Sequence, residues 1–205
     1  SPMTAGEVVR LEEYARQRHI ELVPNLQSFG HQHHILKLPQ YAHLAESDYR
    51  NGWTLSPERP ETYELLADLY AEYLPLFRSE WLNISCDETW DLGTGLTRPR
   101  AERIGVARVY FEHILKLRDL AARHGRRIMM WGDIVQKHPE IVPEIPKDIL
   151  MLDWFYNPAT AEARRMRSAG NRLFREAGLE TINCPGTNTW VTLACRTEMA
   201  RSNIR

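Results

Sequence analysis

Three cysteines in 205 residues, Cys86, Cys184 and Cys195, are too few and too irregularly spaced for a disulfide framework or a zinc ribbon. Cys86 sits in an apolar alternation and reads as core. No apolar run approaches the ~20 residues of a membrane-spanning helix, and the opening stretch SPMTAGEVVRLEEYARQRHI has no basic start followed by a hydrophobic segment. An excess of one charge is missing too: 26 Lys and Arg stand against 27 Asp and Glu, a net charge of −1. That leaves no electrostatic footprint for nucleic acid or an anionic membrane and fits a neutral small-molecule substrate better. Linkers and low-complexity tracts are also lacking. What remains is an ordinary globular balance, 43% hydrophobic and 26% charged, ample for one buried core and consistent with a single domain over residues 1–205.

The chain alternates helix and strand patterns. Thr4 with Glu7 makes a capping-box signature, and Val8, Leu11 and Ala15 recur at helical spacing. IELVPNL follows as a short strand ending at Pro24, then a long polar excursion, then a helix in which Leu65, Leu66, Leu69, Tyr73 and Leu76 form an apolar stripe. EWLNISCDE is the second strand. Residues 99–124 form a helix with Ala107, Phe111, Ile114, Leu117 and Ala121 on one side, closed by Gly125. RRIMMWGDI and DILMLDWFY are two more strands around a short Pro-flanked helix, PATAEARRMRSAGNRLFREAG is helical, LETINCPGTN is a fifth strand, and RTEMARSNIR begins a last helix.

This alternation argues a parallel sheet wrapped by helices. A complete (β/α)8 TIM barrel usually needs ~250 residues. The five strands read here therefore suggest a truncated α/β barrel of about five βα units, a fragment lacking the first and last strands. A self-contained doubly wound sheet is the alternative fold. Missing strands would leave exposed sheet edges, which makes self-association an expectation.

Each polar cluster falls just after a strand, the edge that carries active sites in barrels and open α/β sheets alike. In NISCDETW, residues 83–90, alternation sends Leu82, Ile84 and Cys86 toward the helices and Asn83, Ser85 and Asp87 toward the barrel axis. Glu88, where pleating gives way to loop, can turn over the mouth, so that both acids converge on one ligand. A carboxyl that must donate a proton needs its pKa raised by burial or by a like charge, and an adjacent Asp supplies the second. The plainer reading is a solvated acidic loop.

GHQHH, residues 30–34, invites a metal reading in which His31, His33 and His34 join Asp87 as ligands. A loop places histidines anywhere, however, and His31 as a hydrogen-bonding partner for an acid is the preferred reading. Trp90, Trp131, Trp154 and Trp190 sit at or just beyond strand ends, with Tyr156 two residues after Trp154. Flat aromatic walls suit the apolar faces of a pyranose, and a Tyr hydroxyl offers a directed hydrogen bond; each Trp taken alone is equally a core residue. Asp133 and Asp153 occupy equivalent strand-end positions and serve either as ligand residues or as helix-capping and loop acids.

These motifs resemble glycoside hydrolase family 20, the β-N-acetylhexosaminidases. NISCDET is similar to the family's His/Asn-x-Gly-x-Asp-Glu signature, with Ser85 where Gly is usual and Thr89 where an aliphatic residue is usual. LVPNLQSFGH is similar to its Gly-His segment, and QSFGH, ILK and DLGTG resemble the hexosaminidase D-like branch. The resemblance implies a (β/α)8 barrel and retaining hydrolysis of terminal β-linked N-acetylglucosamine or N-acetylgalactosamine, in which the substrate's own acetamido oxygen is the nucleophile. No metal or organic cofactor is implied. Carried onto this chain, Glu88 is the general acid and base, and Asp87 holds the acetamido N–H and the developing oxazolinium charge. His31 supports the acid, Tyr156 contacts the acetamido oxygen, and Trp131, Trp154 and Trp190, with Asp133, border the sugar. The sugar-gripping arginine of the family's first strand and the Trp-plus-acid segment of its last are not found in the sequence. Three other readings stay open on the residues alone: a two-carboxylate glycosidase pairing Glu88 with Asp133 or Asp153, a metal-dependent barrel hydrolase, and a non-catalytic sugar-binding barrel.

Overall fold

The computed structural model describes residues 2–155, 161–186 and 201, with backbone alone for Phe155 and residues 161–168. Two compact units divide the chain, residues 1–129 and residues 130–205.

The first unit opens with helix α1 (Ala5–Arg16), started by the capping box expected from sequence. Thr4 Oγ1 accepts from the Glu7 amide at 3.3 Å, while the Glu7 carboxylate accepts from the Thr4 amide at 2.7 Å. Its buried face differs from the expected one. Glu12 and Ala15 turn inward, and Leu11 is exposed. The helix lies against the 3-10 turn Leu74–Leu76, where Arg78 reaches Glu12 at 3.4 Å and Glu13 at 3.5 Å, so a charged face can pack inward.

The segment expected as the first strand is not one. After Pro24 the chain runs parallel to strand β1 (Trp81–Asn83), but only Asn25 and Asn83 form a bridge. Asn83 N donates to Pro24 O at 2.9 Å, Leu26 N to Asn83 O at 3.0 Å and Ser28 N to Ile84 O at 3.1 Å. Proline has no N–H to offer, so a ladder cannot extend through residue 24. On its other side β1 pairs in parallel with β2 (Arg127–Trp131), in the register Trp81–Arg127, Leu82–Ile128, Asn83–Met129.

The polar excursion folds into the short helix α2 (His33–Leu36) and two 3-10 turns, Ala42–Leu44 and Tyr49–Asn51. Helix α3 (Pro60–Tyr73) then buries Thr62, Leu66 and Tyr70, with Leu74 just beyond its end. The buried stripe is thus an i, i+4 row centred on Leu66, and Leu65 and Leu69 are only half-buried. The single helix expected over 99–124 is two, α4 (Arg98–Ile104) and α5 (Val106–Ala122). Gly105 separates them at φ 86, ψ 146, a backbone conformation that no helical residue can take. Helix α5 is the spine of this unit: Ala107, Tyr110, Phe111, Ile114, Leu117 and Ala121 are all buried, worth roughly 1.5–3 kcal/mol for each large apolar side chain.

In the second unit, α6 (Asp133–Lys137) follows the end of β2, and β3 (Leu150–Phe155) pairs in parallel with β4 (Thr181–Pro185) across α7 (Ala161–Glu176). The β3 residues Leu150, Met151 and Leu152 are buried, as is Phe174 of α7. Each is a near-continuous apolar strand or the inward face of an amphipathic helix, the pattern of a parallel sheet covered by helices. The last helix expected from sequence, over RTEMARSNIR, falls almost wholly outside the described residues. Among the described residues no helix is long and apolar enough to cross a membrane.

Candidate active site

The two acids escape strand alternation because the pleat ends at Ile84. Ser85 and Cys86 both take left-handed backbone, at φ 60 and φ 62, and Glu88 does so again at φ 50. Such conformations cost a non-glycine residue on the order of 1–3 kcal/mol each and persist only where surroundings hold them. The position at which the family signature usually has Gly is thus a left-handed one, here filled by Ser85, which compensates with its side chain. Ser85 Oγ donates to Asn25 Oδ1 at 2.8 Å, and its amide donates to Asn83 Oδ1 at 2.9 Å. From α5 the Tyr110 hydroxyl donates to the Cys86 carbonyl at 3.0 Å. The expected alternation of Asn83, Ser85 and Asp87 against Ile84 and Cys86 does not survive this turn, and Ser85 and Cys86 are both fully buried.

The turn brings Asp87 and Glu88 to one imidazole. His31 Nε2 lies 3.1 Å from Asp87 Oδ2 and 3.4 Å from Glu88 Oε2. The three side chains keep 27%, 15% and 30% of their surface exposed, so the cluster is open to a ligand yet partly shielded from water. Gln27 Nε2 approaches Asp87 Oδ1 at 3.5 Å. The close approach of the two segments depends on Gly30, where a Cβ would stand 2.3 Å from the Asp87 carbonyl oxygen.

Beside this cluster stands a residue the sequence reading did not single out. Trp53, 7% exposed, donates its indole N–H to the Glu88 carbonyl at 2.7 Å, and its ring lies 4.4 Å from that of His31. It comes from the polar excursion, 22 positions beyond His31. It is the one tryptophan of a stretch that also holds Phe29, Tyr41 and Tyr49, and no spacing or motif sets it apart from them. The loop beyond the acids is anchored to the same excursion: Ser47 Oγ and Thr54 Oγ1 donate to the Asp91 carboxylate at 2.6 Å and 2.5 Å. Buried Glu46 accepts from Ser56 Oγ, Gly95 N, Thr97 N and Thr97 Oγ1.

Beneath the Gly-His segment lies His113 of α5, buried under Phe29 with ring centroids 3.9 Å apart. Its Nε2 faces the Ser28 carbonyl at 3.1 Å and so carries the proton, while Nδ1 accepts from the Tyr63 hydroxyl at 3.0 Å. Burial pushes this imidazole down to about 3. It is a neutral strut.

The other histidines are drawn elsewhere. His33 stacks on Trp53 and meets the His34 ring at a tilt of 42°, and burial together with His34, His31 and Lys37 lowers its pKa. Among the described residues no group of three or more His, Cys, Asp or Glu is placed to hold a metal ion, so the proposed ligand set of His31, His33, His34 and Asp87 is not assembled. Trp90 is 45% exposed. Trp131, Asp133, Asp153 and Trp154 belong to the second unit: Trp131 closes β2, Asp133 is the first residue of α6 behind a Gly132 cap, and Asp153 accepts from Gln136 Nε2 at 2.8 Å. Asp133 therefore does not cap its helix. Tyr156 and Trp190 lie outside the described residues.

Residues 3–178 match the family model for the glycosyl hydrolase family 20 catalytic domain. The chain belongs to that family. It is 28% identical over 169 residues to hexosaminidase D of Bos taurus, covering 76% of this chain and 46% of that one. With a beta-hexosaminidase of Vibrio furnissii it shares 24% identity over 206 residues, 93% of this chain and 31% of the relative. Among solved structures, beta-N-acetylhexosaminidase from Bacteroides fragilis superposes with a TM-score of 0.72 at 17% identity, over 97% of this chain and 40% of that one. Flavobacterium johnsoniae chitobiase gives a TM-score of 0.72 at 20% identity, over 91% and 29%. This family 20 chain thus spans less than half the length of these relatives and carries part of the family's (β/α)8 barrel, as its alternating strands and helices suggested.

Proposed function

We propose that this chain carries the acid-pair half of an exo-acting β-N-acetylhexosaminidase site. The observation behind this reading is the single imidazole, His31, within reach of both Asp87 and Glu88 at the end of β1. Family membership supports the reaction type.

In this reading Glu88 gives its proton to the glycosidic oxygen as the bond from the anomeric carbon to that oxygen breaks. The acetamido carbonyl oxygen of the same sugar forms a bond to the anomeric carbon, which closes an oxazolinium ring. Asp87 accepts the acetamido N–H and opposes the positive charge that develops there. Water then attacks the anomeric carbon as the bond from that carbon to the acetamido oxygen breaks, the ring reopens to the acetamido group, and the water yields its proton to Glu88, which restores the acid. His31 keeps the two carboxylates in register through both steps. An enzyme nucleophile is not needed, which suits two acids that share one face of one turn. The resemblance to the family assigns Trp131, Trp154 and Trp190 to the walls around the sugar and the Tyr156 hydroxyl to the acetamido oxygen, and Asp133 is proposed among the groups that hold the substrate.

The test is hydrolysis of an aryl N-acetyl-β-glucosaminide beside the matching aryl β-glucoside, by this chain and by a chain extended to a complete barrel. Cleavage of the acetamido sugar alone, blocked by a thiazoline mimic of the cyclised intermediate, is the expected result. Cleavage of both sugars would point to an enzyme nucleophile and overturn the substrate-assisted mechanism. Binding of N-acetylhexosamine without turnover by either chain would make this a sugar-binding barrel.

A further inference from the structure

We propose that Trp53 is a positioning residue for the acid pair, an inference that rests on reading Glu88 as the general acid. Glu88 sits at φ 50, where a side chain is disfavoured, and its carbonyl oxygen accepts two hydrogen bonds. One comes from the Trp90 amide at 2.8 Å, a local contact that closes the turn. The other comes from Trp53 Nε1 at 2.7 Å, from a segment 35 positions away, and it ties the strained residue to the body of the first unit.

The same indole packs on His31. One rigid ring therefore touches the residue that carries the acid and the residue that lies against both carboxylates. Trp53 is itself held firmly. Its backbone carbonyl accepts from the Gln32 amide at 2.9 Å, His33 stacks on it at 5.7 Å and 8°, and Tyr49 meets it edge-on. The Arg50 guanidinium lies 4.9 Å from the ring. An indole fills a buried slot and donates one directed hydrogen bond from its edge, a pairing that phenylalanine lacks. Without that donor Glu88 can relax toward ordinary backbone angles, which swings its carboxylate away from His31. A displacement on the order of 1 Å at a reacting group is enough to cost about a hundredfold in rate.

The test uses two replacements at position 53, Trp53→Phe and the isosteric benzothienyl analogue of tryptophan, which keeps the bicyclic shape and deletes only the N–H. With N-acetyl-β-hexosaminides, kcat/KM is expected to fall about tenfold or more for a poor leaving group and to change little for an activated aryl one. The loss should appear in kcat rather than KM. In the background of Glu88→Gln the benzothienyl replacement should cost nothing further, because the group it positions is already gone. Equal losses on both leaving groups, or losses that multiply with those of Glu88→Gln, would overturn the proposal.

A second readout does not depend on turnover. The ring nitrogen resonances of His31 should move in both variants, since the carboxylate facing Nε2 shifts. Unmoved resonances overturn the positioning role whatever the kinetics. Moved resonances together with a Glu88→Gln variant as active as the parent would leave the positioning intact and remove Glu88 as the acid, which separates the two failures.

Discussion

Gly30 and Asp87 meet backbone to backbone: a Cβ on Gly30 would lie 2.3 Å from the Asp87 carbonyl oxygen. Nothing flexible can give way there, because the obstructing atom is main chain. Gly30→Ala is expected to lose roughly 1–3 kcal/mol of stability through overpacking and to separate His31 from the acids. Urea unfolding and kcat/KM measured together check this; a variant with parental stability and activity would mean the two segments are not held as described.

Glu88→Gln should cut turnover of substrates with poor leaving groups by about a hundredfold or more while sparing activated aryl substrates, which need little protonation. Leaving-group dependence of kcat/KM is the measurement. Equal losses across the series would count against an acid role.

Asp87→Asn should weaken binding of a thiazoline mimic by about tenfold or more, since that species resembles the charged intermediate that Asp87 is proposed to oppose. Calorimetric titration of parent and variant decides it. Unchanged affinity would remove Asp87 from the mechanism.

Glu46 is buried with four donors aimed at its carboxylate, two of them from Thr97. In Glu46→Gln the amide oxygen can keep the three donors that meet Oε1 while the N–H₂ turns to the Ser56 hydroxyl, so the cost comes from replacing charge-assisted hydrogen bonds with neutral ones and is expected to be about 1–3 kcal/mol. A lower urea midpoint at unchanged slope is the expected signature. A variant as stable as the parent would show that the loop at residues 91–97 is anchored by other groups.

His113 makes stability pH-dependent in a defined direction. Folded, its imidazole stays neutral down to about 3. Unfolded, it takes up a proton below about 6.5. Between those values the unfolded state binds more protons, so stability falls as pH drops through that window. His113→Gln, which retains polar atoms without titrating, should flatten the fall. Unfolding free energies at neutral and mildly acidic pH, in parent and variant, test it; identical pH slopes would sink the assignment.

Local patterns carried much of this protein. The Thr4 and Glu7 capping box, the buried face of α5 and the parallel sense of the β1–β2 and β3–β4 pairs were legible in residue spacing and in the alternation of strand with helix, because periodicity reports on which side chains turn inward and a helix between two strands favours parallel pairing. The Gly30-His31 and Asp87-Glu88 motifs were visible as sequence too. Tertiary structure alone decided the rest. Pro24 reduced a strand to one bridge, and Gly105 split a helix whose periodicity runs past it. The left-handed turn at Ser85 and Cys86 put two consecutive acids on one side, against the alternation that a pleated strand would impose. Trp53 could not be found by period or motif, since its partners Glu88 and His31 are distant in sequence and meet it only through a closed loop. Sequence specifies what each residue can offer locally, whereas the meeting of distant strained segments depends on the packing that holds them.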